Sequence, residues 1–190
     1  RKQLLEHRRE RAAAPGPAVF LSERNFDMKP QTFTWKKLTA DELTRVYLDE
    51  MRRDFPPSEL KPLSMILNSE AVGMAHTWGV FEGETLVSYL LMVRPTGCEV
   101  SQLDYFSVLP AYRSTGIGAK LLDFARKKLP EHAHPVLSVL NTNTRAIALY
   151  TRMGWQLDGS TSLEFDPKQY PTVTRKCALV QMRYAGPVQE

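Results

Sequence analysis

Cysteine is scarce in this chain: Cys98 and Cys177 are the only two in 190 residues. Two cysteines make no disulfide framework, and no Cys-x-x-Cys spacing offers a structural metal site. Both read as core or strand residues, and a reducing, cytoplasmic setting is expected. Long apolar runs are also lacking. None approaches the roughly 18 residues a membrane helix needs, so no membrane span is expected. The first residues are charged and no apolar core of about 7–15 residues follows them, so no signal peptide is expected. Excess charge is nearly absent as well. The total is +4, and residues 1–11 carry +3 of it through five Lys/Arg against two Glu. The near-neutral remainder gives no reason to expect nucleic-acid binding by the folded domain.

What is present is globular. Hydrophobic residues make up 43% and charged residues 24%, and the length suits one domain with a full core. Ala-Ala-Ala-Pro-Gly-Pro at 12–17 reads as a linker. Residues 1–27 are therefore expected to form a basic, flexible extension, and 28–190 the domain.

Periodicity orders the elements. Residues 31–37 alternate and predict a first strand. Thr39 and Glu42 form a capping box that opens a helix whose Leu43, Val46, Tyr47 and Met51 share one face. Pro56 and Pro57 stop it, and a second short helix is expected over about 58–69. A hairpin follows, turning at Glu82-Gly83. A strand over roughly 99–108 leads into a glycine turn and a helix that ends before Pro130. A strand at Pro135–Leu140, a helix at about 143–153, and strands near 155–160 and 176–184 complete the chain. The order β-α-α-β-β-β-α-β-α-β-β is an α/β pattern around a mixed sheet.

Tyr112-Arg113-Ser114-Thr115-Gly116-Ile117-Gly118-Ala119 joins a strand to a helix. Such a turn binds anions, because the first helical N–H groups lack partners and the helix dipole adds positive potential. Glycine lets an anion approach the backbone without meeting a Cβ, and Arg113 adds a charge-assisted contact. A Walker A loop requires Gly-Lys-Ser/Thr, but Ala119 follows Gly118. A Rossmann turn requires Gly or Ala where Leu121 stands. A second pattern lies at 143–155, where Asn143 suits an N-cap, Ala146, Leu149 and Tyr150 fall on neighbouring turns, and Gly154 suits the helix C-terminus.

Together these residues resemble the GCN5-related N-acetyltransferase (GNAT) superfamily. Arg113, Gly116 and Gly118 match the family's Arg/Gln-x-x-Gly-x-Gly/Ala loop, and Val108-Leu109-Pro110-Ala111-Tyr112 its approach. Asn143, Ala146, Leu149, Tyr150, Gly154 and Trp155 match the later motif, in family order and spacing. Phe55–Pro62 faintly resembles a loop of poorly characterised bacterial members.

The resemblance implies one α/β domain with a mixed, mostly antiparallel twisted sheet of six to seven strands and about four helices. It implies acetyl-CoA as donor and no metal. The pyrophosphate would lie on the amides from Arg113 through Ser114, Thr115, Gly116, Ile117 and Gly118 to Ala119. The strand end Phe106-Ser107-Val108 would pair with the pantetheine arm, the Val108 amide polarising the thioester carbonyl. Tyr150 would be the general acid for the thiolate, or else pack in the core. Asn143 would contact the cofactor arm or act only as a cap.

The base is less defined. By strand alternation Asp104 shares a face with Gln102, Phe106 and Val108, and reads equally as general base or as half of an ion pair. Glu164 and Asp166 are expected in a loop beside the acceptor, more as solvated residues than as ligands. His132 and His134 read as surface residues, and His76 as a weak candidate base. Leu137-Ser138-Val139-Leu140 departs from the Leu-Glu-Val-Arg of ribosomal-protein N-terminal acetyltransferases. The acceptor is expected to be a primary amine, a small molecule ahead of a protein lysine or N-terminus. A CoA-binding module without turnover and a homodimeric assembly stay open.

Overall fold

The computed structural model describes residues 32–94, 100–128, 134–170 and 174–186. The extension expected over 1–27, with Cys98 and His132, lies outside them.

The strands are β1 (Phe33–Lys37), β2 (Ala75–Glu82), β3 (Thr85–Val93), β4 (Val100–Val108), β5 (His134–Leu140), β6 (Trp155–Phe165) and β7 (Cys177–Tyr184). They form one sheet in the order β1-β2-β3-β4-β5-β7-β6. Only β4 and β5 run parallel. The other pairs are antiparallel.

Helices cover both faces. The first is a rod built from α1 (Ala40–Val46), a π-helical turn (Tyr47–Met51) and α2 (Arg52–Asp54). Thr39 caps it, its hydroxyl accepting from the Glu42 amide while the Glu42 carboxylate takes the Thr39 N–H. The rod ends at Phe55, whose extended backbone (φ −120°, ψ 136°) is what the following proline demands. With α3 (Leu63–Ala71), the rod buries Leu43, Val46, Met51 and Ile66 against Tyr89, Leu91 and Tyr105. On the opposite face α4 (Ile117–Lys128) and α5 (Thr144–Arg152) bury Ile117, Leu121, Leu122 and Tyr150 against Leu90, Leu103, Leu137 and Met182. Each large apolar side chain so buried contributes about 1.5–3 kcal/mol. Strand β3 lies between the two layers, so six consecutive residues, Val87–Met92, are buried.

Several expectations shift. The hairpin turn is Gly83-Glu84, with Glu82 paired to Thr85, because glycine takes the positive φ (60°) at the first turn position. The short helix starts at Leu63, since Pro62 supplies its N-cap and the proline-rich residues before it cannot be helical. Glu164 belongs to β6, which runs on to Phe165, so only Asp166 opens the loop. Asp104 does not follow strict alternation. Leu91 pairs with Tyr105 and Met92 with Leu103, which makes Asp104 the extra residue of a β-bulge. Leu103 therefore joins the core layer of Phe106 and Val108, the place alternation gave to Gln102.

Candidate active site

The bulge lies where the parallel pairing stops. Strand β4 pairs with β5 only from Val100 to Leu103. Farther on β4 stays with β3 and β5 with β7, so the two strands part. A cleft of about 960 Å³ fills the gap.

Backbone and glycine build one wall. The Leu109 N–H donates to the Val87 carbonyl (3.0 Å), and the Ser88 hydroxyl to the Ser107 carbonyl (2.7 Å). Ser107 and Leu109 thus direct their main-chain groups toward β3, and alternation turns the amides of Phe106 and Val108 to the cleft edge. There Arg113 Nε donates to the Val108 carbonyl at 3.0 Å. A short 3-10 turn, Pro110–Tyr112, leads into the loop. The Tyr112 hydroxyl donates to Glu82 Oε2 at 2.6 Å and anchors the turn to the β2 end. Ser114 (φ 67°) and Gly116 (φ 84°) are both left-handed. Around Gly116 nothing stands within 4 Å of where a Cβ would lie. At Gly118 a Cβ would come within 3.3 Å of Phe106 and Val108, so this glycine lets α4 lie close on β4.

The α5 N-terminus completes this wall. Asn143 Oδ1 accepts from the Ala146 N–H at 3.1 Å, so Asn143 does cap the helix, and it also lines the cleft. Arg145 Nη2 donates to Ser114 Oγ at 3.1 Å and ties α5 to the loop. Tyr150 packs against Phe106 and Trp155 and lines the cleft. Its hydroxyl has no hydrogen-bond partner among the described residues. Burial pushes its pKa up, so the phenol stays protonated.

Side chains build the other wall, from Arg53, Asp54, Phe55, Pro56, Glu59 and Asp104. Asp54 Oδ2 accepts the hydroxyls of Tyr89 (2.9 Å) and Ser107 (2.7 Å), and Oδ1 accepts two nitrogens of Arg53 (3.3 Å each). Burial, followed by the adjacent Asp54 charge, pushes the Tyr89 phenol up, so it remains a donor. Lys61 Nζ donates to Asp104, whose side chain is 4% exposed. The ion-pair alternative for Asp104 is thus the arrangement present. Tyr105 holds the connecting loop: its hydroxyl donates to the Glu59 carbonyl (2.9 Å) and accepts from the Lys61 N–H (2.8 Å). Burial raises its pKa to about 12. Phe55 packs edge-on against the same ring.

The structure therefore brings together Asp104, Phe106, Ser107, Val108, Arg113, Ser114, Gly116, Gly118, Ala119, Asn143 and Tyr150 around one cleft. Thr115 and Ile117 do not line it. The Thr115 hydroxyl turns back to the Tyr112 carbonyl (2.6 Å) and Ile117 is in the core, leaving only their amides to the loop. His76, His134, Cys177, Glu164 and Asp166 lie away from it. Asp166 is paired to Lys176 at 3.3 Å. Asp54, Glu59, Arg145 and Arg152 line the cleft without having been singled out in the sequence. Arg145 sits between two motif residues and could have been flagged by position, whereas Asp54 carries no pattern and Glu59 falls in the Phe55–Pro62 stretch, which suggested no role for it. Among the described residues no group of three or more His, Cys, Asp or Glu could hold a metal, and no helix is long and apolar enough to cross a membrane.

A mixed sheet that parts beside its parallel pair, with a glycine turn and a helix at the opening, is the architecture of an acetyltransferase domain. A family model described as Acetyltransferase (GNAT) family matches residues 35–155, and the chain belongs to that family. Acetyl-CoA-dependent acetyltransferase chemistry goes with that membership. Among solved structures, the ribosomal-protein-S18-alanine N-acetyltransferase from Escherichia coli is similar over 84% of this chain and 97% of its own, with TM-score 0.65 and 19% identity. Spermidine N-acetyltransferase from Vibrio cholerae, in complex with CoA and spermine, is similar over 80% of this chain and 94% of its own, with TM-score 0.62 and 14% identity. At these identities the likeness is one of fold. A search of the curated proteins finds no match.

Proposed function

We propose that this protein transfers an acetyl group from acetyl-CoA to a primary amine by direct attack in a ternary complex. The observation that carries the reading is the convergence of the glycine loop, the cleft-facing Val108 amide and the unpartnered Tyr150 hydroxyl on the gap between β4 and β5. The loop amides from Arg113 to Ala119 hold the pyrophosphate, with Asn143 beside the arm. Of the strand end expected to meet the pantetheine, Phe106 and Val108 pair with it, whereas Ser107 is held by β3 and Asp54, and the Val108 N–H stabilises the oxyanion. Tyr150, kept protonated by burial, donates to the leaving thiolate. Asp104 acts through Lys61, holding the loop that forms the acceptor wall. A small amine is the favoured acceptor, meeting a wall lined by Phe55, Pro56 and Glu59. The few cysteines support a cytoplasmic enzyme.

The test is calorimetric titration with acetyl-CoA, together with CoA release across an amine panel. The parent binds acetyl-CoA and releases CoA with at least one amine. Gly116→Trp, strained at φ 84° by roughly 1–2 kcal/mol and bulky in the loop, loses binding. Binding without release for any amine would instead identify a CoA-binding module without turnover.

A further inference from the structure

Three carboxylates line the cleft, and their surroundings sort them. A carboxylate has about four lone-pair sites. Those of Asp54 are taken by Tyr89, Ser107 and two nitrogens of Arg53. Asp104 is held by the Lys61 ammonium. Glu59 differs: among the described residues its carboxylate has neither a hydrogen-bond nor an ion-pair partner. Its backbone is nonetheless fixed, because the Tyr105 hydroxyl donates to the Glu59 carbonyl and accepts from the Lys61 amide two residues on. The Tyr47 hydroxyl adds a third tie, to the Lys61 carbonyl at 3.0 Å.

We propose that Glu59 binds the ammonium group of the acceptor and takes its proton before attack. The inference rests on the acetyltransferase reading above and names the acceptor class: an amine that arrives as a cation. Proton transfer to the Glu59 carboxylate frees the nitrogen lone pair, which attacks the thioester carbonyl carbon. The N–C bond forms, the C–S bond breaks, and the thiolate takes the Tyr150 proton. A second nitrogen-bound proton leaves to solvent as the amide forms, and Glu59 gives up its proton through solvent as the Tyr150 phenolate regains one, which restores both groups. Products are the acetylated amine, CoA thiol and one proton.

The electrostatics agree. Arg53 and Asp54 on α2 and Asp104 on β4 share the wall of Glu59, Lys61 follows on the same loop, the Tyr105 hydroxyl meets the Glu59 carbonyl, and Arg113, Arg145 and Arg152 also line the cleft. The cations of its own wall and loop are already matched, Arg53 to Glu50 and Asp54 and Lys61 to Asp104, and no described cation forms an ion pair with Glu59. Burial raises its pKa above the usual carboxylate range, which makes its anion a stronger base. Activity should therefore fall as pH drops through that raised value, and the acidic limb lies above an ordinary glutamate's.

The experiment measures CoA release from acetyl-CoA at pH 5–9, first by the parent across spermidine, an aminosugar, a lysine peptide and a free N-terminal peptide. Glu59→Gln is then compared on the fastest amine. The expected result is a fall in kcat/KM of about 10²-fold, loss of the acidic limb, and acetyl-CoA affinity unchanged within about twofold. Glu59→Asp keeps the limb at reduced rate. A Glu59→Gln rate within threefold of the parent, with the limb intact, overturns the role of Glu59 and leaves the enzyme reading standing. A parent that turns over none of the four amines overturns the enzyme reading itself.

Discussion

The two walls of the cleft are made of different material. The donor wall is main chain: amides of β4 and the loop, two left-handed residues, a glycine that lets helix meet strand, and a helix cap. The acceptor wall is side chain: a buried aspartate with three partner residues, a lysine–aspartate pair and a glutamate left unpartnered. Main-chain recognition suits a ligand portion that never varies, because backbone geometry depends on a few special residues. Side-chain recognition can be altered one substitution at a time. The comparison teaches that the acceptor must be read from the wall without motifs.

Substitutions can break or sharpen this contrast. The largest effect is expected at Asp54. Asp54→Ala leaves the Tyr89 and Ser107 hydroxyls without their acceptor, while Arg53 keeps Glu50, and should cost about 3–5 kcal/mol in urea unfolding. A loss under about 1 kcal/mol would mean the acceptor wall does not depend on this aspartate. Tyr150→Phe removes a hydroxyl that no described residue uses. Stability and acetyl-CoA affinity should hold while kcat falls about 10²-fold, or about 2.7 kcal/mol. Equal losses in affinity and rate would return Tyr150 to a packing role. The smallest effect is expected for Arg145→Ala, which frees Ser114 from α5. Acetyl-CoA affinity should weaken roughly 3- to 10-fold, about 0.5–1.5 kcal/mol, with kcat for the acceptor unchanged. A change confined to acceptor kinetics would contradict the division between the walls.

The sequence disclosed the two walls unequally, for the same reason. Gly116 and Gly118 are legible because few residues tolerate their backbone and packing. Asn143 is legible because a cap stands at a fixed distance from its helix. The element order followed from capping, periodicity and proline stops. The face of Asp104 was misjudged because one extra residue in β4 leaves no mark in an alternating pattern. Asp54 and Glu59 stayed hidden because their neighbours are distant in the chain: Tyr89 lies 35 residues and Ser107 53 residues from Asp54. Lys61 and Asp104 are likewise 43 residues apart. Such meetings depend on how the sheet and the rod pack, and local pattern does not report it.

The π-turn at Tyr47–Met51 gains meaning beside the bulge at Asp104. One residue more or less rotates an α-helix by about 100°, so the turn determines the direction in which Asp54 leaves the rod. The bulge does the same for the strand that faces it. The rod and the strand thus each bring one inserted position to the acceptor wall. Removing the helical insertion swings Asp54 away from Ser107, and removing the strand insertion flips Asp104 from Lys61. Neither length can drift alone, so the opening behaves as a vernier, in which two scales must be shifted together to keep a single alignment.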